Sequence, residues 1–216
     1  MYDLPFYKEK DEKVIKAFID QYPFAFMSGC DANNMPVATQ LPVFIEEHEG
    51  RQLLRGHIMK GMDHHLAFLH NPNVLVVFTG HHTYVSATWY SNRYIPSTWN
   101  YMSVHVKGTI RFLDDDALMD VLQKTTLHFE GYNPESTTVF NNLPKDLVHR
   151  LMKQIIAFEV EVQDINHVFK LSQDRDQESY HNIIGKLNEQ GEDGQVIAAE
   201  MEKRTKDVFG EEGGRS

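Results

Sequence analysis

The chain has 216 residues, 41% of them hydrophobic and 11% aromatic, which is enough apolar and ring surface for one substantial core and too much for wholesale disorder. Its formal net charge of -10 at pH 7 argues against strong binding to a phosphate backbone, because nonspecific nucleic-acid affinity rests on Lys and Arg displacing counterions. No apolar run nears the roughly 20 residues that cross a bilayer, the first residues lack the basic-then-apolar layout of a signal peptide, and the single cysteine, Cys30, can form no internal disulfide.

These features lead us to expect a cytoplasmic protein with no membrane partner, in which any role on DNA is local or indirect. Along the chain, Val14, Ile15, Phe18, Ile19 and Tyr22 recur at helical spacing, so a helix is expected over residues 12–22, stopped by Pro23. Residues 24–28, 37–45, 52–57 and 74–78 are short, rich in β-branched and aromatic side chains, and separated by turn formers such as Asn33, Asn34, Pro36 and Gly50. They read as barrel or sandwich strands. Before the last of them, Asp63 can cap a short helix with Leu66 and Leu69 inward, ending near Asn71 and Pro72. Residues 101–112 form the clearest strand, with Val104, Val106, Ile110 and Phe112 on one face and His105, Lys107, Thr109 and Arg111 on the other.

The acidic run at residues 114–116 opens a helix whose stripe is Leu118, Val121, Leu122, Thr125 and Phe129. Pro144 suits the first turn of another helix, with Leu147, Leu151 and Ile155 expected inward. A strand then alternates Ile156, Phe158, Val160 and Val162 against Glu159 and Glu161. Tyr180, Ile183, Ile184 and Leu187 mark a further helix, and Ile197, Met201 and Val208 a weaker one in a charged stretch. The expectation is an α+β fold, an antiparallel barrel with helices at its edges: one domain over residues 1–188, then a charged C-terminal helix and a disordered tail over 189–216.

Gly-x-Gly-x-x-Gly, Gly-x-Ser-x-Gly and His-Glu-x-x-His are all absent, which removes support for dinucleotide-fold, hydrolase-elbow and zincin chemistry. Gly56 and Gly61 have the spacing that opens a P-loop, but Met62 and Asp63 follow where Lys and Ser or Thr are required. Among twelve histidines, the adjacent pairs His64–His65 and His81–His82 invite a metal reading. Neighbours on a strand point to opposite faces and neighbours on a helix diverge by about 100°, so adjacent histidines are poorly placed to share one ion. The segment 78–101 concentrates Trp89 and Trp99 with Tyr84, Tyr90 and Tyr94, either as core and dimer contacts or as walls of a planar ligand site. A flavin phosphate needs a cation and neutral donors, and Thr39, His57 and Lys60 lie on or beside strands that could converge.

Five ordered blocks, VATQLPVFIE, LLRGHIMKG, VLVVFTGHHTYVSATWY, IPSTWNYMSVHVKG and AFEVEVQDINHVFKLSQDR, give the chain a resemblance to the PaiB-type FMN-binding family, named for a negative regulator of protease synthesis and sporulation in bacteria. The resemblance implies a split-barrel flavoprotein fold similar to that of pyridoxamine phosphate oxidases, a homodimer, and FMN in the groove between subunits. By the same resemblance His57 and Lys60 meet the FMN phosphate. Trp99, Asn100 and Tyr101 line the ring or ribityl chain, Ser86 and Trp89 belong to the aromatic block beside them, and Lys170, Ser172 and Gln173 reach the flavin across the dimer. There are departures: Lys60 replaces the family's Arg, turning a bidentate phosphate contact into a point charge. Met62 and Asp63 replace an Asn-Pro pair, His65 a Trp, and Ala87 a Pro. Three functions follow: an FMN-binding protein with a negative transcriptional regulatory role, an FMN-dependent oxidoreductase acting on a small substrate, and a haem-binding split barrel.

Overall fold

A computed structural model describes residues 1–92 and 94–210. The elements are α1 (Glu12–Gln21), β1 (Phe24–Cys30), β2 (Pro36–Pro42), β3 (Phe44–His48), β4 (Arg51–Met59), α2 (Asp63–His70), β5 (Asn73–Val85), β6 (Thr98–Phe112), α3 (Asp115–Phe129), α4 (Lys145–Met152), β7 (Ile155–Lys170), α5 (Gln177–Asn188) and α6 (Glu192–Phe209). They fall into two compact units. The first takes in Met1–Ile15, Thr79–Val104 and Asn166–Ser216, the second Lys16–Phe78 and His105–Ile165. The tail expected to be disordered lies, from residue 211 on, outside the described residues.

In the second unit the strand order is β2-β1-β5-β6-β7-β4-β3. Its two end strands, β2 and β3, are consecutive in the chain and separated by Val43 alone. One intervening residue spans about 7 Å at full stretch, so the sheet has to curl until its edges meet. Val43 is fully buried, and its N–H donates to the Pro23 carbonyl at 2.8 Å. The run expected as one strand over residues 37–45 is therefore two strands with a corner between them. β1 pairs antiparallel with β2 and with β5, and β4 with β3 and with β7. This is the α+β antiparallel split barrel with peripheral helices that the sequence leads one to expect.

The barrel interior follows the period-2 rule: Ala25 and Met27 of β1 are buried while Phe24 and Phe26 face out. Two glycines admit close approaches. A Cβ at Gly56 would stand 2.8 Å from the Pro42 carbonyl and 2.8 Å from the Phe158 ring, and one at Gly108 would stand 2.2 Å from the Glu161 carbonyl. Helix α3, capped by Asp114 accepting from the Ala117 N–H at 2.9 Å, lays Leu118 and Val121 on Ala157 of β7. Helix α2 turns the other way from expectation: Ala67 and Phe68 are buried and Leu66 and Leu69 are exposed. Gly29 explains it, because the space its missing Cβ leaves is filled by the Phe68 ring. Helix α4 likewise buries none of its residues; Leu151 faces out and Ile155 belongs to β7. Strand β7 runs 16 residues, well past the expected 156–162, through Asn166 and His167, where alternation is lost in the sequence.

The first unit carries the far halves of β5, β6 and β7, the N-terminal segment, α5 and α6. Tyr180, Ile183 and Leu187 of α5 and Ile197, Ala198 and Met201 of α6 are buried where the two helices pack. The Tyr180 hydroxyl donates to the Met201 carbonyl at 2.8 Å. Lys8 reaches Asn166 Oδ1 at 2.7 Å and the Glu9 N–H donates to His167 Nε2 at 2.9 Å, which ties the N-terminal segment to β7.

One ionic cluster braces the outside of the barrel. Glu159 of β7 is 3% exposed; its carboxylate accepts from Arg111 Nε at 2.7 Å and from the Arg55 guanidinium at 3.0 Å. Arg55 also faces Glu46, which Lys124 meets at 2.7 Å. Burial works against ionising Glu159, but the two guanidiniums outweigh it and hold its pKa below the usual carboxylate range. Replacing Glu159 by Gln should destabilise the chain at pH 7 by about 2–3 kcal/mol, less than the loss of a fully buried pair because Arg111 is exposed. The wild-type advantage is present above the unfolded Glu pKa of about 4.3 and is lost as pH falls through the lower folded value. Urea midpoints of the two proteins should therefore differ at pH 7 and draw together as the pH falls below the unfolded Glu value.

Candidate functional site

The two units each gather part of the expected site. In the second unit, Lys60 follows β4, and its N–H donates to the Gln154 carbonyl at 2.8 Å. Gly61 then turns the chain with φ +79, and its N–H donates to His65 Nδ1 on α2 at 3.1 Å. The turn carrying Lys60 is thus fixed at both sides. Burial lowers the pKa of His65, helped by the charges of His64 and Lys60, and burial alone lowers that of His57, which lies on β4 opposite Ala157. Burial thus favours the uncharged form of both rings, and Lys60 is the lysine of this corner.

Among the described residues, the side chains of Thr39, His57 and Lys60 make no hydrogen bond or ion pair. Thr39 sits opposite Met27, on the face of β2 that carries Leu41. Nothing in the second unit bonds it to His57 or Lys60. His64 is held by Asp63 at 3.1 Å, and in the first unit His81 meets Asp193 at 2.6 Å. Among the described residues no group of three or more His, Cys, Asp or Glu is arranged to hold a metal.

In the first unit, β5 and β6 present an aromatic surface. Trp99 is 52% exposed, its ring centroid 6.0 Å from Tyr84 in an edge contact and 6.0 Å from His82 in a tilted one. A cleft of about 470 Å³ opens here, lined by His82, Thr83, Tyr84, Trp99, Gln190 and Glu192 among others. His82 is not among the residues expected to meet a ligand, and Tyr84 is expected only as one of the aromatics of segment 78–101, read as core and dimer contacts or as walls of a planar site. The two share a face because β5 continues past Phe78 to Val85, and the alternation from Thr79 to Val85 is the signal that would have found them.

The other expected residues of this unit turn their polar atoms inward. Asn100 is fully buried; its Nδ2 contacts Met201 Sδ at 3.4 Å, and its Oδ1 accepts from Ser172 Oγ at 2.9 Å. Lys170 Nζ donates to the Trp99 carbonyl at 2.7 Å and to Thr98 Oγ1. Gln173 closes a turn on its own chain, donating to the Phe169 carbonyl at 2.6 Å and accepting from the Leu171 N–H at 2.7 Å. Ser86 caps the 3-10 turn holding Trp89 by accepting from the Thr88 N–H at 3.2 Å. Tyr101 is half-buried, and burial, then Tyr2, raises its pKa.

The family model described as "Putative FMN-binding domain" matches residues 1–164. The protein called Protease synthase and sporulation protein PAI 2, from Bacillus subtilis, is 31% identical over 209 residues, covering 95% of this chain and 99% of that protein. Among solved structures, the flavocytochrome Anf3 of Azotobacter vinelandii superposes with a TM-score of 0.55 at 18% identity, over 80% of this chain and 74% of its own. The conserved hypothetical protein Rv2991 of Mycobacterium tuberculosis gives 0.56 at 12% identity, over 79% and 91%. At those identities the structures speak to the fold alone. A sequence match across three quarters of the chain speaks to descent, and the chain belongs to the FMN-binding-domain family that includes the PaiB-type protein of Bacillus subtilis.

Proposed function

We propose that this chain binds FMN. The observation that carries the reading is the unpaired Lys60–His57 corner, in a family defined by an FMN-binding domain. FMN joins a planar ring to a phosphate, and each unit, taken by itself, carries side chains whose chemistry suits one of these parts. The second unit holds a lysine with no internal counterion beside histidines whose uncharged form burial favours, which suits a phosphate as a point charge flanked by ring N–H donors. The first unit holds the half-exposed Trp99 with Tyr84, which suits a flat apolar ring. When bound, FMN supplies redox chemistry. The chain's own part is to hold the phosphate, carry the ring and shield it from water.

The resemblance to the PaiB-type family supports a negative transcriptional regulatory role, one exerted without broad contact to nucleic acid given the net charge of -10. The cleft beside Trp99 supports a second reading, an FMN-dependent oxidoreductase, since it leaves room for a small substrate. Turnover with a reduced nicotinamide separates the two, and an absorption spectrum of the purified protein separates flavin from haem.

The same reading includes a homodimer. Met62, Leu66 and Leu69 make an exposed apolar stripe at helical spacing, and Phe24 and Phe26 face out from β1. A second copy is the occupant the family resemblance implies for such surface. Sedimentation at micromolar concentration should give a dimer; a stable monomer of 25.0 kDa would remove this part of the reading. Changing Lys60 to Ala should weaken FMN by about 1.5–3 kcal/mol and leave riboflavin nearly unaffected, as expected for a lost hydrogen bond to a charged group. Equal losses for the two ligands in calorimetric titration would take Lys60 out of the phosphate site.

A further inference from the structure

Lys170 is the last residue of β7 and one of the few charged side chains sealed into the first unit, 8% exposed. A buried ammonium is costly unless its protons are bonded. Lys170 has no ion-pair partner among the described residues; two of its protons go to the Trp99 carbonyl and to Thr98 Oγ1, and its Nζ lies 6.0 Å from the Tyr7 ring centroid. Burial lowers its pKa, with Asp174 opposing and Arg175 adding to the shift.

Thr98 and Trp99 open β6. A strand end is where a sheet frays first, and here it bears a large ring with half its surface in solvent. Two side chains from the end of β7 hold it. Ser172, two residues beyond Lys170, bonds Asn100 Oδ1 as Lys170 bonds the Trp99 carbonyl. Ser172 adopts φ +61, a conformation rare for a non-glycine residue, and Gln173 locks the turn with two bonds to its own main chain. All three side chains expected to touch a ligand are thus committed within the unit.

We propose that Lys170 is a positioning residue: its ammonium clamps the Thr98 hydroxyl and the Trp99 carbonyl and thereby fixes the Trp99 ring, without touching the ligand that the ring receives. This rests on the reading in which Trp99 carries the flavin ring. The test uses the full chain in a Trp89→Phe background, so that Trp99 is the sole tryptophan. Fluorescence anisotropy of the ligand-free protein reads the freedom of the ring, and FMN titration reads affinity for Lys170→Met, Lys170→Arg, Trp99→Ala and the double variant Lys170→Met/Trp99→Ala.

Lys170→Met is expected to lower the anisotropy and to weaken FMN about tenfold, the scale of one charged hydrogen bond, and Lys170→Arg to restore most of both. The double variant should bind no more weakly than Trp99→Ala alone, because the clamp acts only through the ring. Losses that multiply in the double variant would overturn the proposal by showing that Lys170 meets the ligand itself. Unchanged anisotropy in Lys170→Met would overturn it as well. If the unsubstituted chain binds no FMN, the FMN reading fails while the anisotropy still decides the clamp. Should Lys170→Met lose its far-ultraviolet circular dichroism, Thr98→Val removes one acceptor only and must still lower the anisotropy.

Discussion

The second unit depends on a corner one residue long. Because Val43 alone separates the two end strands of a seven-strand order, the sheet cannot lie open, and everything else in that unit answers to the resulting curvature. Buried Val43 anchors the corner through its N–H on Pro23. Gly56 lets β4 come within contact of the Pro42 carbonyl, and Gly108 lets β6 press on the main chain of β7. Close-packed interiors tolerate no added methyl at such points, which is why glycine occupies them.

Closing the sheet leaves its outer face to be finished, and two kinds of chemistry do so. Helix α3 covers Ala157 with Leu118 and Val121, an apolar solution. Next along β7, Glu159 draws in Arg55 and Arg111, and through Arg55 the pair of Glu46 and Lys124. Every charge in that chain faces an opposite one, so burial of Glu159 is tolerated. At the far end of β4 the same logic is left incomplete: among the described residues the side chains of Lys60 and His57 have no hydrogen-bond or ion-pair partner, although the turn beneath them is fastened by Gln154 and His65. A rigid turn holding an unpaired cation is what a phosphate requires.

β5, β6 and β7 are long because each also serves the first unit. Their far halves carry Tyr84, Trp99 and Lys170, respectively, so the aromatic surface is part of continuous strands and not of a loose loop. Rigid elements hold a binding surface more exactly than loops do.

The sequence alone determined the order and nature of most elements, the α+β class and the family. Periodicity and turn residues are local properties, and the five ordered blocks are read without a fold. Val104, Val106 and Ile110 went inward as their alternation required, and Asp114 capped α3. What the pattern could not decide was orientation where two faces are almost equally apolar. On α2, Leu66 and Leu69 were as good a core stripe as Ala67 and Phe68 until the gap at Gly29, remote in sequence, accepted the Phe68 ring. The corner at Val43 is invisible for the same reason, since an apolar residue inside an apolar run carries no mark of a bend. The direction of Lys170, Ser172 and Gln173 was also beyond reach of the sequence: a polar side chain turns toward whichever partner is nearest, and their partners at residues 98–100 become neighbours only when β6 and β7 lie side by side.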